Sequence, residues 1–153
     1  MVFNSEKGLT KARKVVEGVI RSLGVSPDEN TMTSVEAGFG WHVARGSADV
    51  LISLIPASEG AGRLRIVSPI VKIEGEIPLS LTLRLLELNG TELPGVGFGI
   101  ISGNVVVILA ERSVAALDKE EVEELLHLIG HYADKYDDLL VTEFGGVRVC
   151  DIT

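Results

Sequence analysis

Two histidines at helical spacing are the first residues in this 153-residue sequence whose types could do chemistry. His127 and His131 are four positions apart, the spacing at which two imidazoles on one helix turn bind zinc, and Glu124 and Asp134 are nearby. Leu128 stands where the zinc-protease motif needs a glutamate. The pair also falls opposite the apolar stripe of its predicted helix, on the solvated side. We therefore predict no metal site.

Three glycines at alternate positions form a second pattern, that of a phosphate-binding loop. Gly95, Gly97 and Gly99 would allow close backbone approach, but Ile100 stands where the dinucleotide-binding fingerprint needs its third glycine. A strand is predicted to follow where an anion site needs a helix. We interpret the glycines as a smooth strand surface for close packing against a helix or a neighbouring chain, and we predict no cofactor.

Three aspartates lie close together in the last third of the sequence. Asp134, Asp137 and Asp138 could act as paired carboxylates in acid–base chemistry. They are predicted near the C-terminal end of a helix, where negative charge is mildly unfavourable. A solvated helix end is our interpretation, and a docking site for basic clients is the alternative.

Two isolated side chains complete the search for reactive groups. Cys150 is the only cysteine, and Arg148 is the only basic residue beside it, so we predict no reactive thiol. His42 alternates with Trp41 and Val43 on a predicted strand, which indicates a hydrogen-bonded structural histidine. Serine nucleophile elbows and Walker loops are absent from the sequence. We predict no catalytic residues.

The composition limits the surroundings in which the chain can work. Hydrophobic residues make up 46% of the sequence, and the mean hydropathy is +0.32. No apolar run approaches the length of a membrane span, and Ser5–Lys14 is too charged for a signal peptide. A lone cysteine excludes an internal disulfide and fits a reducing compartment. We expect a cytoplasmic protein without a membrane partner, whose apolar excess is buried inside or against another chain.

The charge is negative overall and uneven along the chain. A net charge of -8 argues against a nucleic-acid partner, since phosphate contacts need clustered Lys and Arg. Ser113–Thr153 contains three basic and ten acidic residues, giving -7 (3 − 10), whereas Met1–Gly24 contains five basic and two acidic residues, giving +3 (5 − 2).

The elements that must position these residues start with a helix and three strands. Asn4 or Ser5 is predicted to cap the first helix and Gly24 to end it, and its apolar residues recur every three or four positions. A bulge or an edge kink is predicted at Ser68-Pro69 in the third strand. The three strands are predicted at Phe39–Val43, Asp49–Ile55 and Arg63–Ile73.

The stretch Leu79–Leu88 fits either a helix or a strand. Its leucines alternate with period two at first, and Asn89-Gly90 is itself a hairpin signal. Leucine is nevertheless a strong helix former, and Pro94 would interrupt a returning strand. We predict a helix that Pro78 opens and that Asn89-Gly90 ends in a left-handed conformation.

A hairpin and a long helix follow. Gly103-Asn104 is predicted to form a two-residue turn, and Asp118 with Glu121 resembles the capping box of the last helix. The tail Leu139–Thr153 is predicted either to add a strand or to wrap the surface. The two strands of the hairpin are Val96–Ile101 and Val105–Leu109. The sequence thus predicts a single α+β domain with three principal helices and a five-stranded antiparallel sheet.

Five short motifs recur in one order along the chain. They are Gly40-Trp41, Gly46-Ser47-Ala48-Asp49-Val50, Leu85-Leu86-Glu87-Leu88-Asn89, Gly97-Phe98-Gly99 and Ala133-Asp134-Lys135-Tyr136-Asp137-Asp138-Leu139. Together they resemble the YbjN-type family over the chain up to residue 140, and residues 141–153 lie outside the resemblance. The resemblance implies the fold of type III secretion chaperones, a dimer, and protein or peptide clients or a role in sensory transduction. It implies no catalytic residues.

A homodimer that buries apolar sheet or helix surface between its subunits is also predicted from the distribution of apolar residues. One layer of helices covers only one face of a sheet, whereas the predicted strands are apolar on both faces. Apolar strand faces left in water would invite aggregation, so a second copy is expected to cover them unless the first helix and the tail do. The candidate partner or dimer surface consists of Leu51, Ile55, Val105, Val107 and Leu109.

Two functions remain open from the sequence. The first is a non-enzymatic, chaperone-like or regulatory adaptor that binds a protein or peptide client as a homodimer. The alternative is a small-molecule-binding sensor or an enzyme whose site is assembled from residues far apart in the sequence. A shallow apolar groove favours the first, and a deep polar pocket with a shifted pKa favours the second.

Overall fold

The structure, a computed structural model, describes residues 2–32 and 38–152, with side chains from residue 6 onward. Within these ranges it contains three α-helices and an antiparallel sheet of six strands, which confirms the predicted α+β fold. The helices are Val2–Ser22 (α1), Leu79–Thr91 (α2) and Lys119–Phe144 (α3). The strands are Phe39–Arg45 (β1), Ala48–Ile55 (β2), Arg63–Lys72 (β3), Gly97–Ile101 (β4), Val105–Ser113 (β5) and Val147–Arg148 (β6).

The five predicted strands lie side by side in one sheet. Their order is β1-β2-β3-β5-β4, so β1 and β4 are the outermost of the five. The tail adds a sixth, two-residue strand, because β6 pairs antiparallel with the end of β3. Of the two outcomes predicted for the tail, the added strand is the one observed. The predicted edge kink at Ser68-Pro69 is wrong, because β3 is continuous and lies between β2 and β5.

The chain divides into two compact units. The first consists of Met1–Val43, Leu51–Ile66 and Glu111–Leu126. The second consists of Ala44–Val50, Val67–Ala110 and His127–Thr153.

In the first unit, α1 buries the predicted apolar stripe. The helix begins at Val2, so the predicted start at Asn4 or Ser5 is wrong, whereas Gly24 follows its end with the positive φ that a left-handed stop requires. Gly62 comes so close to α1 that an added Cβ would lie 2.8 Å from Leu9. The buried residues of the stripe are Leu9, Ala12, Val16, Val19 and Ile20.

In the second unit, α2 extends past its predicted end. Asn89 and Gly90 lie inside the helix, which continues to Thr91, so the predicted stop at this pair is wrong. The glycine with a positive φ near this helix is Gly95, four residues beyond its end. The helical prediction itself is confirmed, with Pro78 immediately before the first residue, and the strand alternative is wrong.

The β4–β5 hairpin has a longer loop than predicted. Ile101 pairs with Val105, so three residues rather than two connect the strands. Ser102 precedes Gly103 and Asn104, whose φ angles of 85° and 59° are positive as the prediction requires.

Helix α3 begins as predicted and ends later. The carboxylate of Asp118 accepts a hydrogen bond from the backbone N–H of Glu121 at 2.8 Å, the capping contact predicted there. The helix continues to Phe144, through the first residues assigned to the tail. Its buried stripe consists of Val122, Leu125, Leu126, Ile129, Ala133 and Tyr136.

Candidate partner-binding surfaces

Helix α2 has leucines on two opposite sides, and only one side is buried. Its buried leucines follow helical spacing and are Leu81, Leu85 and Leu88. The leucine stripe on its outer side consists of Leu79, Leu83 and Leu86, with exposed fractions of 72%, 57% and 63%. Because these three lie at positions i, i+4 and i+7, they form one continuous row. Gly90 continues the row, is exposed, and has open space where a Cβ would be.

The helices α2 and α3 lie on opposite faces of the β4–β5 hairpin. Successive strand residues point to opposite faces, so the side chain of Phe98 and the space beside Gly97 are on different sides. An added Cβ at Gly97 would lie 3.6 Å from Asn89 of α2, whereas the ring of Phe98 packs edge-on against Tyr136 of α3, with centroids 5.2 Å apart. Helix α2 therefore packs against the outer strand β4 on the face opposite α3, a face that the sequence prediction had assigned to a partner.

Asn89 also closes part of the outer edge of the sheet. Its side-chain oxygen accepts a hydrogen bond from the backbone N–H of Phe98 at 2.7 Å, and its amide nitrogen donates to the carbonyl of Phe98 at 3.2 Å. The side chain thus satisfies both groups that a further strand would pair with at Phe98. Beyond this point on β4, Ile100 and Ile101 are each 39% exposed.

The five strand residues predicted as a partner surface differ in exposure. In the first unit, Ile55 is exposed and Leu51 is half-buried. In the second unit, Val107 is fully buried within the chain, while Val105 and Leu109 are half-buried. The leucine stripe on α2 is more exposed than any of the five, and the sequence prediction did not include it.

Of the three glycines, Gly97 has the predicted packing role against a helix, whereas Gly99 contacts the paired strand and Gly95 lies before β4 with a φ of 73°. A Cβ at Gly99 would lie 2.8 Å from Leu109 and 3.5 Å from Val107, both on the paired strand β5. The close contact at Gly97 is with α2, as described above.

The three aspartates of α3 separate into two contacts. Asp134 accepts a hydrogen bond from the hydroxyl of Ser47, in the β1–β2 turn. Asp137 and Asp138 face Arg148 of the tail, with nitrogen–oxygen distances of 3.8 Å and 3.1 Å. The predicted solvated helix end is wrong for Asp137, whose burial raises the pKa of its carboxyl.

The remaining candidates for chemistry lie at the surface. His127 and His131 are exposed, with their rings stacked 6.3 Å apart, and His42 is exposed on β1. Among the described residues, no three His, Cys, Asp or Glu side chains are grouped so that they could hold a metal ion. Cys150 is exposed, and partial desolvation raises the pKa of its thiol, which disfavours the reactive thiolate.

A surface recess of about 440 Å³ lies along α1. Its described lining is one side of that helix and consists of Glu6, Lys7, Thr10, Lys11 and Lys14. The groups with shifted pKa values lie elsewhere, on the last part of α3 and the tail. None of the described helices is long and apolar enough to cross a membrane.

Comparison with solved structures identifies the fold. A chain of the ExsC-ExsE complex superposes with a TM-score of 0.65 at 18% identity, covering 86% of this chain and 95% of the other. A chain of the heterodimeric ExoU-SpcU complex from the type III secretion system of Pseudomonas aeruginosa gives 0.56 at 18% identity, covering 80% and 95%. A chain of the HopA1-SchA chaperone-effector complex gives 0.54 at 12% identity, covering 83% and 93%.

These matches confirm the fold that the sequence resemblance implies. The chain has the α+β fold found in these secretion-system and chaperone-effector complexes. No protein-family model matches the sequence. A comparison with curated protein sequences also finds no match.

Proposed function

We propose that the protein is a non-enzymatic, chaperone-like or regulatory adaptor that binds a client polypeptide as a homodimer. The leucine stripe of α2 is the observation that carries the proposal. The fold supports it, because each of the three similar structures is a complex of two proteins, one of them a chaperone-effector complex. Membership of the YbjN-type family belongs to the same proposal and rests on the sequence motifs.

Burial of the leucine stripe could supply a large part of the free energy of dimerisation. Full burial of a leucine stabilises by about 1.5–3 kcal/mol. The three leucines are 57–72% exposed, so covering them would contribute about 3–6 kcal/mol per subunit and about 6–12 kcal/mol in a symmetric pair. Association costs roughly 4–15 kcal/mol, so the stripe alone comes close to balancing it.

The shape of α2 fits pairing about a twofold axis. In a symmetric dimer the same surface is used by both subunits, so two copies of the stripe would cross antiparallel. Leu83 and Leu86 would then meet at the centre, and Leu79 of one subunit would approach Gly90 of the other. Because Gly90 has open space where a Cβ would be, the backbones can come close there.

Client binding is assigned to surfaces outside the stripe. Ile55 and Leu51 in the first unit remain candidates for client contacts, because one is exposed and the other half-buried. In the second unit, Val105 and Leu109 also remain candidates for client contacts, because both side chains are half-buried and part of each faces solvent. Val107 cannot contact a partner without rearrangement, because the chain itself buries it.

Sedimentation equilibrium at micromolar concentration tests the dimer with a matched pair of variants. Leu83→Glu places a charge in the stripe, whereas Leu139→Glu places the same charge at a leucine of α3 with a similar exposed fraction, 53%. Leu83→Glu should weaken the dimer at least about 100-fold, because it removes an apolar contact and buries a carboxylate in each subunit. Leu139→Glu should leave it unchanged. A native chain that is monomeric at this concentration, or equal effects of both variants, would overturn the proposal.

A further inference from the structure

The tail after α3 returns to the sheet through two consecutive glycines. Gly145 and Gly146 have φ angles of 82° and 87°, which let the chain reverse after Phe144. The tail, defined here as Gly145–Ile152, then pairs with β3, with Val147 opposite Lys72 and Arg148 opposite Val71. It therefore lies on the domain as an added strand, the way an extended peptide binds a sheet.

At Gly146 the backbone of the tail lies so close to β3 that no side chain can be accommodated. A Cβ on Gly146 would lie 2.6 Å from the carbonyl oxygen of Lys72 and 2.9 Å from the side chain of Ile73. The backbone oxygen cannot move away as a flexible side chain could. The position two residues before the arginine therefore accepts glycine only.

Arg148 binds an acidic site that α3 supplies. Its guanidinium lies 3.1 Å from the carboxylate of Asp138 and 3.8 Å from that of Asp137, which is only 5% exposed. Asp151 of the tail completes the site with a nitrogen–oxygen distance of 2.9 Å. The carboxylate of Asp137 is therefore unlike those on a solvated helix surface. Burying its charge without a nearby cation would cost free energy, and Arg148 supplies that cation.

The side chains of the tail stay at the surface. None of its residues from Val147 to Asp151 is buried, and Val147 and Ile152 are 41% and 51% exposed. It thus adds no side chain to the core, and its pairing with β3 is two residues long. A segment with so few buried contacts can open while the rest of the domain stays folded.

We propose that the tail occupies a peptide-binding site on the second unit, and that a client segment of the same chemistry displaces it. That segment is extended and carries an arginine two positions after a glycine, with an aliphatic residue between them. The proposal rests on client binding for its biological role, but the site itself needs no dimer. The acidic segment Ser113–Thr153, with its net charge of -7, would attract such a basic segment over a distance.

The tail sequence is itself the probe for this site. A fluorescent peptide with the sequence of residues 144–152 and Cys150→Ser is titrated by anisotropy into three full-length proteins: the native chain, Arg148→Gln and Gly146→Ala. The two substitutions undock the attached tail by independent routes, one by removing the cation and the other by the clash at Lys72. A nitroxide on Cys150, the only cysteine, reports whether undocking has occurred.

The peptide should bind both undocked variants at least tenfold more tightly than the native chain. In the native chain the attached tail competes at an effective concentration of about a millimolar. A control peptide that also carries Arg148→Gln should bind about 10- to 100-fold more weakly, because it lacks the charge-assisted contacts. Equal binding of the two peptides, or no binding to a variant whose nitroxide has become mobile, would overturn the proposal. A nitroxide that stays immobile in both variants would overturn the docking argument.

Failure of this proposal can be told apart from failure of the proposed dimer. Sedimentation of the same three proteins reports the subunit number, which neither substitution changes directly, because the leucine stripe contains neither residue. Peptide binding by a monomer would support the site and contradict the dimer. A dimer that binds no peptide would contradict the site alone.

Discussion

Replacement of Asn89 tests whether a side chain of α2 stands in for a missing strand at the edge of the sheet. Asn89→Ala removes two partly buried hydrogen bonds to the backbone of Phe98, of 2.7 Å and 3.2 Å. Each such bond contributes about 0.5–1.5 kcal/mol, so the loss is about 1–3 kcal/mol. Alanine regains up to about 0.7 kcal/mol through its higher helix propensity. The net loss in free energy of unfolding should be roughly 0.3–2.3 kcal/mol.

Asn89→Asp distinguishes this account from a general effect of mutating the helix. The carboxylate keeps the acceptor for the N–H of Phe98, but its second oxygen would face the carbonyl oxygen of Phe98 in place of the amide donor. Protonation turns that oxygen into a donor, so the pKa of the new carboxyl in the folded state is raised above its unfolded value. A raised folded pKa means that stability is regained as the pH falls, and that it is lost again as the pH rises through the folded pKa.

Urea unfolding followed by circular dichroism at neutral and acid pH measures both variants, and hydrogen exchange measures the amide of Phe98. Thr91→Ala is the matched control, because it removes an exposed hydrogen bond from the same last turn of α2. The control should change stability by less than about 0.5 kcal/mol. The reasoning is refuted if the amide of Phe98 exchanges equally slowly in Asn89→Ala. It is also refuted if the deficit of Asn89→Asp is the same at both pH values.

Three further substitutions test contacts elsewhere in the chain. Asp118→Ala should destabilise the protein by about 0.5–2 kcal/mol in urea unfolding, since it removes the cap on the N–H of Glu121; no loss would contradict the cap. Gly99→Ala should cost less than about 1 kcal/mol by the same measurement, because the methyl group of Leu109 that lies 2.8 Å from the added Cβ belongs to a half-buried side chain that can rotate away, and a larger loss would contradict that freedom. The burial that raises the pKa of Asp137 makes this group's contribution to stability largest at low pH, and the contribution is lost as the pH rises through the folded pKa. Asp137→Asn should therefore be at least as stable as the native chain at pH 7, with the difference vanishing below about pH 4, and a less stable variant at pH 7 would contradict this.

The helices α1 and α3 could be predicted from the sequence because their apolar residues recur every three or four positions, a spacing that fits a helix and does not fit a strand. The stretch Leu79–Leu88 is different, because leucines occur on both sides of the helix and fit more than one period. The sequence therefore predicts a helix there but not which leucines are covered. That depends on α2 packing against β4, a tertiary contact that no local pattern contains.

Asn89 shows why a local turn signal can fail. Asparagine followed by glycine favours a left-handed stop when the side chain has only nearby backbone to bond. Here the side chain bonds Phe98, nine residues further on, and the helix continues to Thr91. The one sequence feature that could have indicated the leucine stripe is the excess of leucine over the number that one helix face can bury.

The same packing explains why the predicted partner surface lies on strands, whereas the most exposed leucines lie on a helix. The prediction assumes one layer of helices, which would leave Val107 exposed on the uncovered face. Helix α2 packs against β4 on that face, and Val107 is fully buried within the chain. In doing so, α2 presents Leu83 and Leu86 to solvent. The exposed apolar side chains in this part of the chain therefore lie on the outer side of a helix and not on the sheet. A twofold partner can cover a single row of side chains without disturbing the strands beneath it.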